Sequence, residues 1–188
     1  MVCLSPSAPA AARQRTTIPA PDPRRVRRDA GDRARAGVDT AAQTNIAKNT
    51  YRRARPFHQD RGPVCQPVAQ LADSFDYPSG HTSWGWTWAL ILTELASDRT
   101  GPILRRGRSY GDSSFVCGAH NESAVEERML SASATMALVR TKSAFQQDLT
   151  AAREEIARLR ADPATPKPQG CAAEEALVAQ RVMPRLDR

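Results

Sequence analysis

Apolar positions are unevenly spread along the chain. Residues 1–47 are rich in Ala, Arg and Pro, with no aromatic residue and few large aliphatics. Neither a 3.6-residue nor a 2-residue apolar period runs through them, so the segment reads as unstructured. Residues 48–81 carry turn signals at Arg55-Pro56, Gly62-Pro63 and Pro78-Ser79-Gly80, which predicts the end of a helix followed by an ordered loop. From Thr82 to about Ala96, Trp84, Trp88, Ile91, Leu92 and Leu95 fall at helical spacing, flanked by Trp86 and Leu90. So broad an apolar face predicts a buried helix with its tryptophans in the core.

Beyond it, Pro102 to Arg108 starts another helix, and about Gly111 to Gly118 reads as a loop. Val125, Met129, Ala132, Met136 and Val139 stripe a helix from about Asn121 to Arg140. Residues 143–161 form an amphipathic helix in which Glu154 and Glu155 are spaced to meet Arg158. Pro163, Pro166 and Pro168 make a linker, and a short helix over about 172–182 closes the chain. No β-type alternation occurs, so the class is all-α. The expected division is an unstructured basic segment at 1–47, a helical domain at 48–161, and a Pro-rich linker with a short helix at 162–188.

The chain has 188 residues, 14 prolines and 40% hydrophobic residues, enough for one domain with a packed core. A net charge of +7 and a pI near 9.8 favour anionic partners without choosing among them. The cluster Arg24, Arg25, Arg27 and Arg28 makes nucleic acid one such partner, with a solvated tail the stronger reading. The four cysteines include no CxxC pair, and the three histidines offer no zinc-ligand spacing, so neither a metal nor a cofactor is expected. Cys65 and Cys117 are either a disulfide or two buried thiols. The opening residues show no export signal, and no apolar run is long enough to span a membrane.

Three segments carry the chemistry: Lys48 to Arg55-Pro56, Pro78-Ser79-Gly80-His81, and Ser113-Ser114 to His120. Lys48 and Arg55 lie seven residues apart, placing both on one helix face, where they can grip a dianion. Ser79 offers a hydroxyl, and Gly80 lets backbone N–H groups approach phosphate oxygens. His81 stands where the Trp-rich helix begins, an end that favours anions. His81 and His120 can divide the acid and nucleophile roles.

In this order the segments resemble the signature of the type-2 phosphatidic acid phosphatase (PAP2) superfamily, K-x6-R-P … P-S-G-H … S-R-x5-H-x3-D. Flanking residues such as Arg55-Pro-Phe, Asp60-Arg-Gly-Pro-Val-Cys65 and Val116-Cys-Gly-Ala-His120 are similar to bacterial class A non-specific acid phosphatases rather than to vanadium haloperoxidases, which share the signature. The resemblance covers about residues 45–160. It implies a helical bundle, here incomplete at its N-terminus, and hydrolysis of phosphate monoesters without a metal. The implied location is periplasmic. The implied mechanism has His120 attack phosphorus to form a phosphohistidine and His81 protonate the leaving alcohol. Lys48, Arg55, Ser79 and Gly80 then hold the phosphoryl oxygens.

Two positions depart from the pattern. Ser114 stands where the third motif has arginine, and Ala124 where it has aspartate. The first removes a clamp on the phosphoryl group, and the second removes the partner that orients the nucleophile. Arg106 or Arg108 is a candidate substitute for the clamp, and Glu122 or Glu126 for the orienting group. The alternatives to an impaired phosphatase are an inactive phosphate-binding remnant and a nucleic-acid-binding protein acting through its basic arm.

Overall fold

The computed structural model describes residues 44–180 and 182. The arginine cluster at 24–28 therefore lies outside the described residues. Among the described residues every regular element is helical. They are α1 (44–51), α2 (Gly80–Leu95), α3 (Thr100–Val116), α4 (Glu122–Val139), α5 (Ser143–Ala161) and α6 (Cys171–Val178), with short 3-10 turns at Pro56–His58, Val68–Gln70 and Ser97–Arg99. Residues 44–47, placed by composition in the unstructured segment, belong to α1, and Thr44 is buried.

α2 is central and touches α3, α4 and α5. Ser79 caps its start, its Oγ accepting the Thr82 N–H at 3.3 Å, which satisfies one of the donors left over at a helix N-terminus. The buried face of α2 is small: Thr82, Ser83, Thr87 and Ala89. This corrects the expectation of a tryptophan core. Trp84 is 40% exposed, Trp88 is half-buried, and Trp86 donates its Nε1–H to Ser133 Oγ at 2.9 Å.

The small face exists because α3 packs on it closely. A Cβ at Gly107 would lie 2.5 Å from Ala89 Cβ, and one at Gly111 2.9 Å from Thr82 Cγ2. Bulk at either position would push the helices apart. The stretch from Gly111, expected as a loop, is therefore helical to Val116. Gly111 serves helix contact, and the turn is confined to the residues after Val116, where Gly118 has φ 66.

α4 lays Val125, Met129, Ala132 and Met136 into the core as its spacing predicts, alongside Ile103 from α3 and Leu149 from α5. Val139 is half-buried. The arginines of α5 reach α2 and the turn after it: Arg153 donates to Glu94 O at 3.2 Å, and Arg160 to Asp98 Oδ1 at 3.1 Å. Among the described residues no ion pair joins Glu154 or Glu155 to Arg158. Cys65 and Cys117 form a disulfide with Cα atoms 4.9 Å apart, and the Cys65 N–H also donates to Cys117 O at 3.1 Å. The bridge ties the loop after Arg55 to the segment that leads into His120.

Candidate active site

The three segments meet in one cavity of about 320 Å³. Its walls include Lys48, Arg55, Gly80, His81 and His120, completed by Trp84 and Tyr110. They do not meet by the route their spacing suggests. α1 ends at Tyr51, Arg52 turns the chain with φ 47, and Arg55 stands in extended backbone before Pro56. Lys48 and Arg55 thus share no helix face. They converge because the irregular segment 74–76 receives both: Lys48 Nζ donates to Phe75 O, and Arg55 donates Nε–H to Ser74 O at 2.6 Å and Nη2–H to Ser74 Oγ at 3.2 Å.

His120 is the most restrained group. Its side chain is 3% exposed. Its Nδ1 lies 3.0 Å from Asp76 Oδ1, and its Nε2 lies 3.2 Å from Arg55 Nη1. A carboxylate only accepts and a guanidinium only donates. With Asp76 ionised, the ring must carry its proton on Nδ1 and present the Nε2 lone pair to the cavity. Arg55 Nη1 also donates to Ala119 O at 2.7 Å, which fixes the guanidinium beside the ring. Burial lowers the proton affinity of His120. Asp76 opposes that shift, and the charges of Arg55 and Lys48 reinforce it. The neutral, nucleophilic form therefore persists into mildly acidic solution.

Asp76 is wholly buried. Its Oδ1 also accepts the Asn121 N–H at 3.0 Å, and its Oδ2 accepts Asn121 Nδ2–H at 2.8 Å and Arg53 Nε–H at 2.6 Å. Burial alone would push its pKa up. The hydrogen bonds from His120 and Asn121 and the charge of Arg53 outweigh burial and hold it at about 2. Lys48 is pulled down to about 8, by burial first and then by the charge of Arg55, against the opposing pull of Asp76.

Ser79 and Gly80 divide differently from expectation. The Ser79 hydroxyl is buried beneath the cavity, where it accepts from Thr82 N and, at 2.9 Å, from Thr82 Oγ1. It therefore serves as the cap of α2. Gly80 and His81, the first residues of that helix, line the cavity itself, so the positive end of α2 points at the space. His81 is exposed.

None of the suggested substitutes reaches the site. Arg106 pairs with Glu174, and Arg108 with Asp112 and Glu126. Glu122 is exposed at the start of α4. Asp76 and Arg53 went unnoticed in the sequence. The available signal was an acidic residue two places before the Pro-Ser-Gly-His motif. Among the described residues no group of His, Cys, Asp and Glu is arranged to hold a metal ion, and no helix is long and apolar enough to cross a membrane.

An all-helical protein with this cavity can hold a tetrahedral oxyanion between two cations and a helix N-terminus, beside the ring of a buried histidine. The model of the PAP2 superfamily matches residues 37–139, and the chain belongs to that superfamily. It is 39% identical over 131 residues to an acid phosphatase of Zymomonas mobilis, covering 69% of this chain and 50% of that one. It is 37% identical over 134 residues to a non-specific acid phosphatase of Providencia stuartii, covering 70% and 50%. A non-specific acid phosphatase of Salmonella typhimurium is 37% identical over 115 residues, covering 60% and 46%. The chain spans about half the length of the curated relatives it matches.

Proposed function

We propose that the protein is an acid phosphatase that hydrolyses phosphate monoesters through a phosphohistidine on His120, with a weakened clamp on the phosphoryl group. The observation that carries this reading is the placement of His120 between Asp76 Oδ1 at Nδ1 and Arg55 Nη1 at Nε2, in the wall of a cavity also lined by Lys48 and the start of α2. The names of its relatives support it further.

The substrate's phosphoryl oxygens lie against Lys48, Arg55 and the N–H groups at Gly80 and His81. His120 Nε2 attacks phosphorus, and a P–N bond forms as the P–O bond to the alcohol breaks. His81 protonates the departing oxygen. Water then attacks the phosphohistidine and gives a proton to the now neutral His81; the P–N bond breaks, phosphate leaves, and both histidines return to their starting states. Asp76 stabilises the imidazolium character that develops on the ring. Trp84 and Tyr110 line the same cavity as His81 and give the leaving alcohol an apolar wall.

The third motif's arginine has no counterpart at Ser114, and a lost transition-state donor typically costs roughly 10²–10³ in rate. Turnover is therefore slow for this chemistry. Purified protein should release the chromophore of an aryl phosphate monoester at acidic pH, with orthovanadate or inorganic phosphate inhibiting. Phosphate binding without turnover would instead mark a phosphate-binding remnant. The periplasm is the proposed location, by likeness to these relatives and in keeping with the Cys65–Cys117 disulfide.

A further inference from the structure

We propose that Asp76 has taken over the orienting role of the carboxylate missing at Ala124, so that positions 76 and 124 are alternative seats for one buried negative charge. The inference rests on the phosphatase reading for its kinetic consequences, but not for its structural ones.

The geometry of a positioning residue is complete around Asp76. Its Oδ1 faces His120 Nδ1 at 3.0 Å. Three further donors, Asn121 N, Asn121 Nδ2 and Arg53 Nε, fix the carboxylate in place. Its own N–H donates to Arg53 O at 2.9 Å. The buried carboxylates among the described residues are Asp76 and Asp112, and Asp112 pairs with Arg108. Asp76 alone faces the histidine.

Ala124 is adjacent to the same cluster. It is wholly buried, its N–H donates to Asn121 O at 3.0 Å, and its carbonyl accepts the Ser79 N–H at 3.2 Å. Ala124 joins the start of α4 to the base of α2 and is enclosed there, four residues after His120. Two buried like charges at one histidine disfavour each other's ionised forms, so the loss at 124 and the acid at 76 fit as one exchange. The exchange repairs the orienting half of the third motif and leaves the clamp at Ser114 unrepaired. It also predicts that restoring aspartate at 124 alone brings no gain.

The test combines ring-nitrogen NMR of the histidines with kinetics in four variants. In the parent, His120 should carry its proton on Nδ1. In Asp76→Asn the donors Arg53 and Asn121 Nδ2 hold the amide oxygen and leave the amide NH₂ facing His120. With Asp76 rather than Arg55 setting the ring, the proton should move to Nε2 at the expense of the 3.2 Å Arg55 contact, Arg55 Nη1 keeping its bond to Ala119 O, and kcat should fall at least ~10²-fold. KM should change little, because the cations that bind phosphate remain. Asp76→Ser should lose activity similarly. Asp76→Ser combined with Ala124→Asp should regain at least tenfold of that loss and restore the Nδ1 proton, while Ala124→Asp alone should run no faster than the parent.

An unchanged His120 tautomer in folded Asp76→Asn overturns the proposal. So does a folded double variant no better than Asp76→Ser in both tautomer and rate. If Asp76→Asn does not fold, the double variant decides. If the parent turns over no phosphate monoester, the phosphatase reading fails, and the tautomers of the parent and the variants still decide the role of Asp76.

Discussion

The two histidines of the cavity are held in opposite ways. His120 is buried, locked by Asp76 on one nitrogen and faced by Arg55 on the other. His81 is exposed on the first turn of α2, and among the described residues no side chain hydrogen-bonds to its ring. The contrast matches the two tasks proposed for them. A nucleophile that attacks one atom along one line gains from a fixed direction and tautomer. An acid that serves varied leaving alcohols needs access and rotational freedom more than a fixed partner. The exposed group and the buried one line the same cavity.

That contrast can be broken first at His81. His81→Ala should slow phosphorylation of the enzyme by roughly 10²–10⁴-fold for an alkyl phosphate, and far less for a p-nitrophenyl ester, whose leaving group needs little protonation. Rapid-quench kinetics with the two ester classes measures the difference. Equal losses for both would remove His81 from the acid role.

A smaller effect sharpens the electrostatic side. Lys48 holds its charge below about pH 8 and loses it above. Its folded value is depressed, so the affinity for inorganic phosphate, which needs the Lys48 charge but no general acid, should fall as pH rises through about 8. Lys48→Arg should shift that alkaline limb upward by more than one pH unit, because a guanidinium does not deprotonate there. A limb unmoved in Lys48→Arg would assign it to another group.

How much of this was legible beforehand depends on how local each signal is. α4 and α5 follow from apolar spacing within a few turns, and the three motif segments are recognisable because each is contiguous. The tryptophans of α2 are misplaced because a broad apolar face does not say which part of it packs. The face that packs is set by Gly107 and Gly111 on α3, which allow only small partners such as Ala89 and Thr82. Gly111, paired with Gly118 in the sequence, makes the second half of α3 read as a loop. The joint presentation of Lys48 and Arg55 was foreseen with the wrong cause, since the helix ends between them and segment 74–76 gathers both. Asp76 was invisible as a partner of His120 because 44 residues separate them. Only the folding of the loop against α4 brings them together.

The most direct test of the account is the identity of the covalent intermediate. Protein quenched in acidless denaturant after mixing with a phosphorus-labelled aryl phosphate should carry acid-labile label on the imidazole of His120. His120→Ala, folded by circular dichroism, should carry none. Label at the parent level in that variant, or undiminished turnover without His120, would contradict the account.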